Sequence, residues 1–158
     1  TMLQKDDIET VLIFDCDVHQ GDGTAKLAQN NPHVITVSLH GEKNFPHRKQ
    51  ISDMDFPLPK GTADERYLET VAEALDLACR LHNPDAIIYD AGVDIHQDDD
   101  LGHLDISTAG VLARDKLVFS RAEELDVPIA AVIGGGYQRD IPALVDVHLQ
   151  LFKAAGVV

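Results

Sequence analysis

The segment Asp15-Cys16-Asp17-Val18-His19 sets a carboxylate and an imidazole two residues apart. In an extended chain, side chains at that spacing project to the same side, so Asp17 and His19 can both ligate one divalent ion. Asp94, at the end of Asp90-Ala91-Gly92-Val93-Asp94, can add a third ligand from a neighbouring strand. Three protein ligands with one open position describe a catalytic rather than a structural zinc site. An ion held in that way lowers the pKa of its water to about 7 and polarises a carbonyl oxygen. Tyr137 follows three glycines, where bare backbone lets a ligand or a second segment approach closely, and its phenol can donate to a developing oxyanion. Taken singly, Asp17 and His19 are better read as a solvated loop pair, Asp94 as an ordinary loop acid and Tyr137 as a rim aromatic. Their convergence makes them a candidate site.

That convergence depends on the elements that carry them. Four short apolar runs bounded by turn residues, Val11–Phe14, Val34–Val37, Ala86–Tyr89 and Ile129–Ile133, read as strands buried on both faces. Each runs directly into a polar cluster: DCDVHQGDG, then SLHG, then DAGVD, then GGGY. Helical patterns alternate with these strands. One opens at Thr62, whose hydroxyl can cap it while Glu65 completes a capping box, carries Leu68, Val71, Leu75 and Ala78 on its apolar stripe, and stops near His82 before Asn83-Pro84. Another starts near Ser107 or Thr108 with Leu112, Phe119, Ala122 and Leu125 on one face. A last one follows Asp140, tolerates Pro142 in its first turn, and uses Leu144, Val147 and Leu151. The alternation predicts an α/β fold with a mainly parallel sheet and helices on both faces. In such sheets ligands bind at the carboxyl ends of the strands, where all four polar clusters fall.

Composition sets the outer bounds. The 158 residues, 44% apolar and 25% charged, suit one globular domain. With 27 acidic against 13 basic side chains, the formal net charge of −14 argues against non-specific binding to nucleic acid or an anionic membrane. A cationic partner is easier to attract, although acidic surfaces also serve solubility. No apolar stretch reaches the ~20 residues of a membrane helix. Cys16 and Cys79, without CxxC spacing, read as reduced core residues of a cytoplasmic protein.

Together, DCDVHQGDG, TVSLHGEKNFP, DAGVDIHQDDDLGHLDIS with the following helix bearing Arg114-Asp115, and GGGYQRD resemble the histone deacetylase superfamily. His19-Gln20-Gly21 and the run Gly41–Pro46 look most like its class IV branch and bacterial relatives. The resemblance implies a three-layer α/β/α arginase/deacetylase fold and hydrolysis of an N-acyl-lysine or related amide. It implies that Asp17, His19 and Asp94 are the ligands of zinc or ferrous iron and that Tyr137 stabilises the tetrahedral intermediate. It further implies a structural potassium ion on Asp15, the backbone carbonyls of Asp17, His19 and Leu39, and the Ser38 hydroxyl. Phe45 matches a wall of the channel for the acyl-lysine stem, and Leu101 its mouth. An acetylated polyamine is the alternative substrate. The related two-manganese arginases would carry further acids at the positions of Gly21 and His96, so a single metal is expected.

The resemblance also implies two adjacent histidines ahead of the first strand, serving as general base and acid and oriented by carboxylates that match Asp15 and Asp22. None of the eight histidines adjoins another. Residues 1–158 are therefore expected to be the C-terminal portion of one catalytic domain, with an incomplete sheet whose cut edge is exposed, inactive alone and completed by a missing N-terminal half or an oligomer partner. Two other readings stand beside this one: a catalytically silent domain that binds metal or a partner, and a haloacid-dehalogenase-like phosphatase with Asp15 as nucleophile, Asp17 as acid/base and magnesium as the ion.

Overall fold

The computed structural model describes residues 8–158. Five strands, β1 (Val11–Asp15), β2 (Val34–Gly41), β3 (Met54–Leu58), β4 (Ala86–Asp90) and β5 (Ile129–Val132), form one sheet in the order β3-β2-β1-β4-β5. Every pairing is parallel. Three helices lie between strands, α1 (Asp22–Ala28), α2 (Asp64–His82) and α3 (Thr108–Glu124), and a fourth, α4 (Ile141–Ala154), follows β5. The chain leaves β1 in one direction to build β2 and β3, then returns through α2 to place β4 on the other side of β1. The carboxyl ends of β1 and β4 thus flank the point where strand order reverses, the usual ligand crevice of such sheets.

β1, β2 and β4 are buried along nearly their whole length, as their apolar runs predict. The register puts Leu12, Phe14, Ile35, Val37, Ile87 and Tyr89 on one face, where they join the core with α2 and α3. Ile13 and Ile88 lie on the opposite face and are only half-buried. β5 departs from expectation. It ends at Val132, alternates half-buried with exposed residues and pairs only with β4, so it is a half-exposed edge rather than a strand buried on both faces. β3 and α1 are additional elements; β3 is the opposite edge, where Pro57 withholds a donor from the ladder at least cost.

The helices correct three sequence-based expectations. Ala63, not Thr62, is the N-cap of α2, and no side chain caps it; the Thr62 hydroxyl donates instead to the Pro59 carbonyl at 2.7 Å. Asp64, the first residue of α2, accepts from the Ser107 backbone N–H at 2.8 Å and hydroxyl at 2.6 Å, tying the start of α2 to the cap of α3. Val71, Leu75 and Ala78 are buried as expected, but Tyr67 rather than Leu68 leads the stripe. In α3 the buried set is Gly110, Val111, Arg114, Asp115, Val118 and Ala122. Leu112 and Phe119 are only half-buried beside that face, whose middle the Arg114-Asp115 pair occupies, and Leu125 is the exposed C-cap. α3 and α4 start where expected, and the side chains of Ser107 and Asp140 cap them, accepting from the Gly110 and Ala143 N–H groups. Asn83, left-handed at φ 44°, ends α2 directly before Pro84.

Candidate metal centre

Leaving β1, the backbone N–H of Asp17 donates to Asp15 Oδ1 at 3.0 Å, an Asx turn that swings the next residues across the top of the sheet. From there Asp17 and His19 meet Asp94, which lies four residues beyond the end of β4. Asp17 Oδ1 and Asp94 Oδ2 both converge on His19 Nδ1, at 3.1 and 2.9 Å. The remaining oxygens are fixed from behind. Asp17 Oδ2 accepts the Gly135 N–H at 2.7 Å, and Asp94 Oδ1 accepts the Val18 N–H at 2.8 Å. A Cβ on Gly135 would collide with both carboxylates, so only glycine lets the end of β5 pass this close.

The three ligand atoms lie within 4.8 Å of one another, and among the described residues theirs is the one such cluster. Donors bound at ~2.0–2.2 Å around one tetrahedral ion sit about 3.3–3.6 Å apart, and the two separations from His19 Nδ1, 3.1 and 2.9 Å, are somewhat shorter than that. The donor set fits a divalent ion. Its electrostatics agree. The hydrogen bonds to Asp17 and then Asp94 push the His19 imidazole up to about 10, so these carboxylates hold a proton where they can hold a metal. Burial raises Asp94 to about 6. Burial also opposes ionisation of Asp17, but its hydrogen bonds with His19, Asp94 and two backbone N–H groups outweigh it and hold its carboxyl below the usual range.

Beneath the triad, Asp15 is buried and lies in register opposite Ser38 on β2 and Asp90 on β4. Burial first, then the Asp90 charge, holds its carboxyl well above the ordinary value. A Cβ on Gly21 would strike Asp15 Oδ2, so the residue two past His19 has no space for a second acid. His96, the other position at which a second-metal acid was sought, is buried. Its Nδ1 accepts the Asp98 N–H at 3.2 Å and Gln138 Nε2 at 3.0 Å, which leaves the ring proton on Nε2 facing Thr108 Oγ1 at 3.0 Å. Desolvation keeps it neutral by lowering its pKa.

Asp17, His19, Gln20, Asp22, Phe45, Leu101 and Tyr137 line a cavity of about 430 Å³. Asp17 and His19 thus reach the cavity together with Phe45 and Leu101, exposed on its walls, and Asp22 at the start of α1, while Asp94 is fully buried behind them and meets them through His19 Nδ1. The Tyr137 ring stands edge-on to His19 with centroids 5.9 Å apart. Burial, then the charges of Asp17, Asp94 and Asp99, raise its phenol pKa, so it keeps the proton it would donate. Ser38 Oγ lies 3.1 Å from His40 Nδ1, and Leu39 is buried in β2.

Sequence reasoning left Arg114 without a role. It is fully buried, donates from its two terminal nitrogens to the carbonyls of Gly92 at 2.6 Å and Ala91 at 3.3 Å, and is bound by Asp115 Oδ1, which also accepts the Tyr89 hydroxyl at 2.6 Å. It therefore fixes the backbone that delivers Asp94. The one signal available was an adjacent Arg-Asp pair on a helix that must bury one face.

Residues 1–151 match the histone deacetylase domain family. The chain is 45% identical over 155 residues to an uncharacterised protein of Picosynechococcus, covering 98% of this chain and 52% of that one. It is 30% identical over 154 residues to histone deacetylase 2 of Arabidopsis thaliana, covering 96% and 40%. Among solved structures, the acetylpolyamine aminohydrolase of Burkholderia pseudomallei superposes with a TM-score of 0.80 at 25% identity, over 94% of this chain and 45% of that one. A histone deacetylase homologue complexed with SAHA gives 0.78 at 22% identity, which speaks for the fold alone. The chain spans about half the length, or less, of these relatives.

Proposed function

The chain belongs to the histone deacetylase domain family, and from that premise we propose that the full-length protein hydrolyses N-acyl amides of cationic amines, acyl-lysine peptides or acetylated polyamines, at the centre formed by Asp17, His19 and Asp94. The observation that carries this reading is the convergence of three potential ligand atoms within 4.8 Å of one another, two of them, on Asp17 and His19, belonging to residues of the cavity that Tyr137 also lines. Zinc fits the donor set, as does ferrous iron. When bound, such an ion supplies Lewis acidity toward an amide carbonyl and acidifies water.

The remaining chemistry falls to the chain. Tyr137, with its pKa raised, donates its phenolic proton in a hydrogen bond to the oxygen on which charge develops, an interaction that strengthens toward the transition state. Phe45 and Leu101 line the cavity with exposed apolar surface suited to an alkyl stem. The net charge of −14 favours approach of a cationic substrate. Asp15 and Asp22 orient a general base and acid supplied by the rest of the protein, and Asp15 with Ser38 and the carbonyls of Asp17, His19 and Leu39 holds potassium. In support, Asp15 is a buried carboxyl beside a second acid, Asp90, a setting that a cation relieves. The phosphatase alternative needs Asp15 as a nucleophile open to substrate, yet Asp15 is buried and its Oδ1 is taken by the Asp17 N–H.

The test is acetate release by the full-length protein from an acetyl-lysine peptide and from acetylspermidine, with the metal content measured and p-nitrophenyl phosphate as the control. Release from either amide that disappears on chelation and returns with metal is expected. Stoichiometric metal with no amide turnover contradicts the reading.

A further inference from the structure

Asp99 divides its carboxylate between two segments. Oδ1 accepts the backbone N–H groups of Leu101 at 2.9 Å and Gly102 at 2.8 Å, closing the turn that follows Asp94. Oδ2 reaches the end of the sheet and accepts the backbone N–H of Tyr137 at 2.6 Å. The turn itself is set against a ligand residue, because a Cβ on Gly102 would collide with the Asp94 carbonyl. A parallel link runs one residue on, from Gln138 Nε2 to His96 Nδ1. Tyr137 follows Gly134, Gly135 and Gly136, whose backbone restricts little by itself, and its side chain is half-exposed. The place of its phenol is therefore set by what holds its backbone, and the shortest bond on that backbone comes from an acid acting as a charged acceptor.

We propose that Asp99 is the positioning residue for Tyr137, holding its phenol in place over the Asp17, His19 and Asp94 centre while fixing Leu101 at the cavity wall with its other oxygen. The proposal rests on the reading of Tyr137 as oxyanion donor. It predicts an asymmetry in Asp99→Asn. An amide has one acceptor oxygen, and the turn offers two N–H groups where Tyr137 offers one. The oxygen therefore stays with Leu101 and Gly102, and the amide NH2 faces the Tyr137 N–H, donor against donor. The turn survives while the clamp on Tyr137 opens.

The test uses the full-length, metal-loaded protein as wild type, Asp99→Asn, Tyr137→Phe and the double variant. Amide hydrogen exchange at Tyr137 is read alongside steady-state kinetics on an acetyl-lysine peptide and metal content. In the wild type the Tyr137 amide is protected despite its exposed residue, and Asp99→Asn speeds its exchange about tenfold or more while Gly135, held by Asp17, is unchanged. kcat falls by roughly 10–100-fold with KM within about threefold and metal content retained. Adding Tyr137→Phe to Asp99→Asn then lowers kcat far less than it does alone. An unprotected Tyr137 amide in the wild type, unchanged exchange in Asp99→Asn, or fully additive kcat losses each overturn the proposal. If the wild type turns over no amide, the deacetylase reading fails separately and the exchange arm alone decides the clamp. If Asp99→Asn does not fold, wild-type protection at Tyr137 decides it.

Discussion

At the centre of the sheet, the ends of β1 and β4 carry Asp17, His19 and Asp94 on groups that are themselves buried. Asp94 and Val18 are fully enclosed, and Arg114 grips the carbonyls just ahead of Asp94 from inside the core. On the β5 side, by contrast, the strand alternates half-buried with exposed residues, and the Tyr137 N–H is held by one side-chain acceptor, Asp99, on a neighbouring turn. The contrast separates two tasks. Ligands must stay at fixed separations to hold an ion, and the core supplies that rigidity. A donor to developing charge needs placement that tolerates entry and exit of substrate, and a clamp across a cavity supplies it.

Five substitutions, one of them made only in a double variant, and a titration break or sharpen that contrast. Asp94→Ala removes a proposed ligand whose other oxygen also holds Val18, and metal affinity should fall on the order of 10³-fold or more, read by competition with a chromophoric chelator. Arg114→Met strands the buried Asp115 carboxylate and should destabilise the fold by about 3–5 kcal/mol in denaturant unfolding; Arg114→Met with Asp115→Leu should recover much of that loss, because no unpaired charge remains. Tyr137→Phe should leave metal binding and stability unchanged and lower kcat by about 10²–10³-fold. A Tyr137→Phe variant that loses metal instead would erase the distinction between the two regions.

The titration concerns the centre alone. His19 gives up its proton at about 10 and Asp94 at about 6. Metal binding therefore displaces one proton between those values and two below about 6. Apparent affinity should rise about tenfold per pH unit up to about 10, and more steeply below about 6, measured by calorimetry in buffers of different ionisation enthalpy. The smallest effect is expected at the edge: Val132→Thr, half-exposed on β5, should change stability by less than about 0.5 kcal/mol.

The candidate ligands and Tyr137 could be picked out because each follows an apolar run and interrupts it with residue types that strands rarely end on. The central strands were legible for the same reason, being buried on both sides. β3 escaped because Met54-Asp55-Phe56-Pro57-Leu58 alternates polar with apolar and carries a proline, the pattern of an edge. α1 escaped because its seven residues begin inside the polar motif. The stripe of α3 was misplaced because periodicity assigns charged residues outward, whereas Arg114 and Asp115 turn inward as a pair. Asp99 could not be read at all, since its bond to Tyr137 spans 38 positions and nothing in local spacing announces it.

The central claim is a single metal held by Asp17, His19 and Asp94. The most direct measurement is anomalous scattering from a crystal of the full-length protein, recorded on both sides of the absorption edge of its native metal. One peak bonded to Asp17, His19 and Asp94 at ~2.0–2.2 Å is the predicted result. Two adjacent peaks, or a single peak away from these three side chains, would contradict it.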